Sequence, residues 1–423
     1  MTRRAGTRLA GALVLATLTI GGTALQPAPA HAASAAPRPA QASQGCDVGQ
    51  RVLVPEESYV VDRLGLESAW EVTRGDGVVV AVVDSGVQAR NAHFASALTE
   101  GTTTFSGGDA GADVYGHGTL VAGLIAARRV EGSGAVGVAP EAQIMPVRVY
   151  EADADTAERE GLAAPSADGI ASGIRWAADH GADIINVSLS MGDADPALVS
   201  AVEHARSQGA LVVASAGNRK TADAENPPTE FYPAQLPGVL AVSGVTSDGE
   251  WDASSSFRGE HVDVVAPGQS MLSAFISGGD CVVNTESPSS SYATALVSGV
   301  AALVAAAHPE EGPDEWAFRI MASAQRSDPR SRADTTGWGE VRPFEALNLV
   351  DDGTLAGPAS PLHGPAPETS TAPDPIGLDI PADPADPARA AVGWALLIGG
   401  AASLIALLVG RLGDVRRRAS RSR

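Results

Sequence analysis

The sequence predicts an α/β protein built on a mostly parallel central sheet with helices on both faces. Three observations carry this expectation. Residues 78–83 and 211–214 are continuous apolar, β-branched runs without polar alternation, the pattern of strands covered on both sides. Such runs alternate with helical patterns, as where residues 166–180 precede an apolar strand at Ile184, and that alternation calls for parallel strands joined by right-handed crossovers. The stretch from 74 to 350 is long enough to bury one large core.

In chain order, composition separates the segments. Arg3, Arg4 and Arg8 precede an apolar run over 9–25, and Ala30-His31-Ala32 offers a small-residue cleavage site, so residues 1–32 read as a secretory signal peptide. Residues 33–73 form an N-terminal extension, rich in Pro, Ala and Ser at first. Residues 74–350 hold the α/β domain. Residues 351–389, with nine prolines between 351 and 388, read as a solvated linker. Residues 390–410 carry no charge and are long enough to cross a bilayer as one helix. The tail, 411–423, has arginine at 411, 416, 417, 418, 421 and 423, and such clusters stay on the cytoplasmic side. The reading is a single-pass type I cell-membrane protein with its large domain outside the cytoplasm. The formal charge of −21 is carried by that exported part, since both chain ends are basic, and it argues against nucleic-acid binding.

Four short segments carry chemistry. Residues 81–87 place Asp84 at the carboxyl end of the first apolar run, where open parallel sheets bind their ligands. His117 lies between Gly116 and Gly118 and opens a small-residue helix over 119–127. Ser291 precedes an apolar helix over 292–304, whose amino terminus favours a developing oxyanion. A serine hydroxyl needs a histidine to take its proton, and the histidine needs a carboxylate to fix its tautomer, so Asp84, His117 and Ser291 in this order predict a serine hydrolase. The run over 211–216 ends in Gly217-Asn218, and the Asn218 amide is placed to donate to that oxyanion.

These Asp-Ser-Gly, His-Gly-Thr and Ser-Tyr-Ala blocks make the chain resemble the subtilases, and among them the mycosins, membrane-anchored proteases of type VII secretion systems. The resemblance runs from about residue 54 to 350, includes Gly337-Trp338-Gly339 near its end, and implies a subtilisin-like fold. It implies a serine endopeptidase acting on protein or peptide substrates, in which Asp84 stabilises charge, His117 is the base, Ser291 the nucleophile and Asn218 the oxyanion donor. The segment 185–190 matches the family's substrate-binding strand, so Ser188, Leu189 and Ser190 are expected to contact substrate, with Ala216 and Gly217 opposite them. It further implies membrane attachment through the C-terminal helix and contact with membrane components of a secretion system. The triad chemistry requires no cofactor and no metal ligands are assigned; structural calcium is left open.

Two positions depart from the family pattern. Ser289 stands where subtilases usually have glycine, and if that position needs φ > 0 or close substrate approach, serine costs strain or access. On that ground the alternative function is a weak or inactive subtilase-fold scaffold of a secretion complex. Ser190 also replaces a frequent glycine, and its side chain would narrow the primary specificity pocket. His93, His180, His204, His261, His308 and His363 read as surface or packing residues. The acidic stretch Glu151, Asp153, Asp155, Glu158 and Glu160 reads either as a solvated loop or as a border of the cleft that favours basic residues upstream of the cut. Cys46 and Cys281 are an even pair in an exported chain, which favours a disulfide over two free buried thiols.

Overall fold

The computed structural model describes residues 46–222, 228–366 and 386–419. The expected signal peptide and residues 33–45 lie outside the described residues. The chain divides into two units between Ala366 and Pro367.

The first unit is an α/β domain. Two short helices, α1 (Tyr59–Arg63) and α2 (Leu66–Trp70), precede the strands β1 (Val79–Asp84) and β2 (Thr102–Thr103) and the helix α3 (His117–Ala126). Then come β3 (Gln143–Arg148), α4 (Ala154–Glu160), α5 (Ala167–Asp179), β4 (Ile184–Val187), α6 (Pro196–Ser207) and β5 (Leu211–Ser215). The strands β6 (Val239–Val245), β7 (Val264–Pro267), β8 (Met271–Ala274) and β9 (Asp280–Val283) lead to α7 (Ser290–Ala307), α8 (Pro313–Ser323) and α9 (Pro343–Leu347). Seven strands make one parallel sheet in the order β2-β3-β1-β4-β5-β6-β7, and β8 pairs antiparallel with β9.

The absence of polar alternation in β1 has a direct structural cause. Val80 and Val82 enter the core shared with α3 and α7, whereas Ala81 and Val83 enter a second core under α5 and α6. Successive residues point to opposite faces, and both faces are covered. β1 lies between β3 and β4, with Asp84 level with Arg148 and Val82 level with Asn186. The chain turns to opposite sides of the sheet from this strand, so a crevice opens at its carboxyl end.

The start of the expected linker is packed in the structure. Residues 351–366 belong with the first unit, where Ser360 is buried and bridges Gly364, and its hydroxyl donates to Asp351. Arg326 donates to the Ala356 carbonyl at 3.2 Å and tethers this segment to the end of α8. Proline content reported lack of regular structure there but not lack of packing. Residues 367–385 lie outside the described residues. The second unit contains α10 (Asp386–Ala419), whose segment Ala391–Leu412 has a mean hydropathy of 2.3 and is exposed along its length. It is long and apolar enough to cross a membrane. α7 passes the same composition test, but it is a buried core helix.

Candidate active site

β1 delivers Asp84 to its carboxyl end, fully buried, with the Ser85 N–H donating to Oδ1 at 2.8 Å. α3 starts against the turn that follows. A Cβ at Gly118 would lie 2.2 Å from the Gly86 carbonyl oxygen, so only glycine lets the first turn of this helix approach so closely. That approach sets His117 Nδ1 2.8 and 3.0 Å from the two Asp84 oxygens. An ionised carboxylate only accepts hydrogen bonds, so Nδ1 carries the hydrogen and Nε2 is the basic nitrogen. Burial of the ring opposes its charged form, but the Asp84 charge, the hydrogen bond to it and the Asp113 charge outweigh that and hold the His117 pKa above its ordinary value.

Two residues not anticipated from sequence complete this pair. Tyr150, buried at the end of β3, donates its hydroxyl to Asp84 Oδ1 at 2.9 Å. Burial and the Asp84 charge push its pKa well up, so it stays a donor. Asp113 is buried and accepts five hydrogen bonds. Its Oδ1 takes the Ser85 hydroxyl (2.9 Å) and the N–H groups of Tyr115 (3.1 Å) and Gly116 (2.8 Å); its Oδ2 takes the N–H (2.9 Å) and hydroxyl (2.6 Å) of Thr119. It thereby caps the start of α3, which would otherwise leave N–H groups unpaired. A carboxylate four residues before His117, with a threonine two residues after it, was the available signal.

Ser291 is the second residue of α7 and is buried. Its hydroxyl donates to the Ser188 carbonyl at 3.1 Å, while the Ser188 hydroxyl donates to the Ser291 carbonyl at 2.9 Å. The next residue, Tyr292, brings its ring to 5.7 Å from the His117 ring, so the start of α7 faces the Asp84–His117 pair. Asn218 Oδ1 accepts from the Ser290 N–H at 2.7 Å and from its hydroxyl at 3.0 Å. With Oδ1 so held, Nδ2 is the group of that amide able to donate. Ser188 is buried, Leu189 is half-buried and Ser190 is exposed, while Ala216 and Gly217 are buried on the neighbouring segment after β5.

The buried carboxylate–imidazole pair at the sheet's switch point, with a serine at a facing helix start, matches the order Asp, His, Ser along the chain. Residues 75–339 match the profile of the subtilase family. The chain belongs to this family. Mycosin-3 of Mycobacterium tuberculosis (strain ATCC 25618 / H37Rv) is 30% identical over 403 residues, which is 84% of each chain. Subtilisin DY of Bacillus licheniformis is 34% identical over 251 residues, 59% of this chain and 85% of its own. The solved MycP3 protease from the type VII (ESX-3) secretion system superposes with a TM-score of 0.61 at 28% identity, covering 75% of this chain and 98% of that one. The protein is therefore a subtilase serine protease related to the mycosins.

Within this subtilase, the strain expected at Ser289 is not found. Its backbone is extended, with φ −122° and ψ 132°, and its hydroxyl accepts from the Ser291 N–H at 3.3 Å as the N-cap of α7. Serine is a favoured cap, so the departure from glycine carries a local gain in place of strain. The acidic stretch is partly committed to the protease itself. Glu151 pairs with Arg148 at 3.2 Å and accepts the Ala163 N–H at 3.0 Å, and Asp153 caps α4 through the Thr156 N–H at 2.9 Å. Among the histidines read as packing residues, His93 is buried against Asp280, and His261 Nε2 lies 3.2 Å from the Ala216 carbonyl, closer to the site than its sequence context foretold. Cys46 and Cys281 form a disulfide, with Cα atoms 5.1 Å apart, that ties residue 46 to β9.

Proposed function

We propose that Asp84, His117 and Ser291 are the catalytic triad of a membrane-anchored, extracytoplasmic endopeptidase accessory to protein secretion. The observation that carries the chemistry is the Asp84–His117 pair, with Nδ1 at 2.8 Å from the carboxylate and the start of α7 facing the ring. On this reading His117 Nε2 takes the proton of the Ser291 hydroxyl as Oγ attacks the substrate carbonyl. The tetrahedral oxyanion receives the Asn218 amide and the amino end of α7. His117 then returns the proton to the leaving amine, the C–N bond breaks, and an acyl-Ser291 ester remains. Water, deprotonated by the same nitrogen, hydrolyses the ester and restores the hydroxyl. Asp84 stays ionised throughout, oriented by Tyr150 and Ser85.

The anchor is the exposed apolar segment Ala391–Leu412, followed by arginines that hold the tail in the cytoplasm. The secretion role rests on the relatives named mycosin and on the type VII secretion system of the MycP3 protease. The scaffold alternative had two grounds at Ser289, strain and restricted substrate access, and the extended, capping backbone there speaks against the first. One experiment tests the reading: membranes containing the full chain are treated with a fluorophosphonate probe. Covalent labelling of the wild type that is lost in Ser291→Ala, in the membrane fraction, is the expected result. An unlabelled wild type would overturn it.

A further inference from the structure

The two segments assigned to substrate, Ser188 to Ser190 and Ala216 to Gly217, are closed at one end by Phe231 and Tyr232. The first segment runs into Met191, whose N–H donates to the Tyr232 carbonyl at 2.8 Å and whose carbonyl accepts the Tyr232 N–H at 2.8 Å. The second meets the Phe231 ring. A Cβ at Gly217, where φ is +92°, would lie 2.6 and 2.8 Å from two ring carbons of Phe231 and 3.3 Å from Phe257. The space beside Gly217 is thus already filled by an aromatic side chain, and Phe231 is itself only 4% exposed.

That ring is held from several sides. It stacks on the His261 imidazole with centroids 4.7 Å apart and planes at 19°, and packs on Phe257 at 4.6 Å. His261 in turn is hydrogen-bonded to the Ala216 carbonyl, and Phe257 carries the Arg219 guanidinium at 4.4 Å. Arg219 Nε donates to the Ser256 carbonyl at 3.1 Å. Turning Phe231 aside would break this stack and leave buried surface uncovered, so the ring behaves as a fixed wall.

We infer that Phe231 is the floor of the primary specificity pocket and that the protease selects a small residue, alanine, serine or glycine, on the acyl side of the scissile bond. This rests on the triad reading of the proposed function and on the two substrate segments that the family resemblance implies. A leucine or phenylalanine side chain entering between those segments meets a ring that cannot retreat. Each methylene that fails to fit changes discrimination by about 10- to 200-fold. The expected preference for alanine over phenylalanine is therefore at least about 100-fold in kcat/KM.

The test uses the full chain in membranes, a fluorophosphonate titration of Ser291, and peptide amides that differ only in the residue before the cut: Ala, Ser, Leu, Phe and Lys. The wild type is expected to cleave after Ala and Ser and to be at least about 100-fold slower after Leu and Phe. Phe231→Ala should reverse the Ala-to-Phe ratio while Ser291 still titrates, and Phe231→Leu should fall between. A wild type that prefers Leu or Phe, or a titratable Phe231→Ala with an unchanged ratio, overturns the inference while leaving the triad intact. If Phe231→Ala does not titrate, the wild-type ratio decides. A wild type that titrates with no probe and cleaves no peptide removes the triad reading instead, and the inference with it.

Discussion

Replacing Asp113 tests whether the start of α3 is held by a carboxylate that never touches substrate. Its five hydrogen bonds satisfy three backbone N–H groups, a serine hydroxyl and a threonine hydroxyl, all in a buried site. In Asp113→Asn, one amide oxygen can still serve the Ser85, Tyr115 and Gly116 donors. The other position becomes NH2 and faces the Thr119 N–H, donor against donor. Leaving one buried donor unsatisfied costs about 1–3 kcal/mol, and bonds to a charged acceptor lie at the upper end. Asp113→Ala abandons all five and should cost about 3–5 kcal/mol, within the range for breaking a buried polar network. At about 2–4 °C per kcal/mol for a domain of this size, the alanine variant should melt roughly 6–20 °C lower in a thermal scan. A second readout separates local electrostatics from general damage. The Asp113 charge helps hold the His117 pKa up, so Asp113→Asn should move the acid limb of kcat/KM to lower pH. An unchanged melting temperature together with an unmoved acid limb would refute the capping argument.

Other outcomes follow from the same geometry. Ser291→Ala and His117→Ala should each abolish about 10⁶-fold of turnover, and Asn218→Ala about 10²- to 10³-fold, in peptide hydrolysis assays; a cleaving Ser291→Ala protein refutes the triad. Because the folded His117 pKa lies above its ordinary value, activity should rise with pH through a midpoint above 6.5, and the stability supplied by its charged form should be complete below pH 6.5 and disappear as pH rises through that midpoint; a kinetic midpoint below 6.5 contradicts this. Burial, partly offset by the Ala241 N–H and Arg332, pushes the Asp263 carboxyl up to about 6, so its stabilising contribution is present below pH 3.8 and lost as pH rises through about 6. Asp263→Asn should accordingly raise the stability at pH 8 by up to about 3 kcal/mol and leave it unaltered at pH 4 in denaturant titrations, with equal gains at both values counting against the argument. Deleting residues 386–423 should release a folded, probe-reactive protease from membranes, and a truncated protein retained in membranes washed with salt contradicts the anchor.

The parts legible in the sequence are those fixed by neighbours along the chain. The run of β1 could be read because both of its faces are buried, and Asp84 could be placed because it ends that run. His117 and Ser291 each sit at the start of a helix within a few residues of the signals that set it. Tyr150 and Phe231 were not legible, since each matters through a partner elsewhere in the chain: Asp84 lies 66 positions from Tyr150, and Gly217 meets Phe231 from a separate segment. Asp113 stood close to its partners in sequence, yet an Asp three residues before Gly116, in a glycine-rich stretch, reads first as a loop residue. Residues 351–366 misled because proline and glycine content describes backbone regularity, whereas their packing depends on Arg326 and Asp351 reaching across the chain.

Ser291 rests in this structure on the wall that is expected to receive substrate, and the energetics of that rest matter for catalysis. Its hydroxyl and that of Ser188 each donate to the other residue's carbonyl. Asn186 steadies the pair, donating to the Ser188 hydroxyl at 3.0 Å and accepting from Ser298 at 3.0 Å. Turning the Ser291 hydroxyl toward His117 gives up one neutral hydrogen bond, a net cost of about 1 kcal/mol. The bond it forms with the basic Nε2, beside a paired Asp84, offsets a cost of that size. The Ser188-to-Ser291 bond through the serine 188 hydroxyl survives the rotation, because it uses the Ser291 backbone carbonyl. On the proposed mechanism the Ser291 backbone therefore stays fixed to the segment at Ser188 while its side chain moves, an arrangement that would keep an attacking oxygen in register with a peptide bound along that segment.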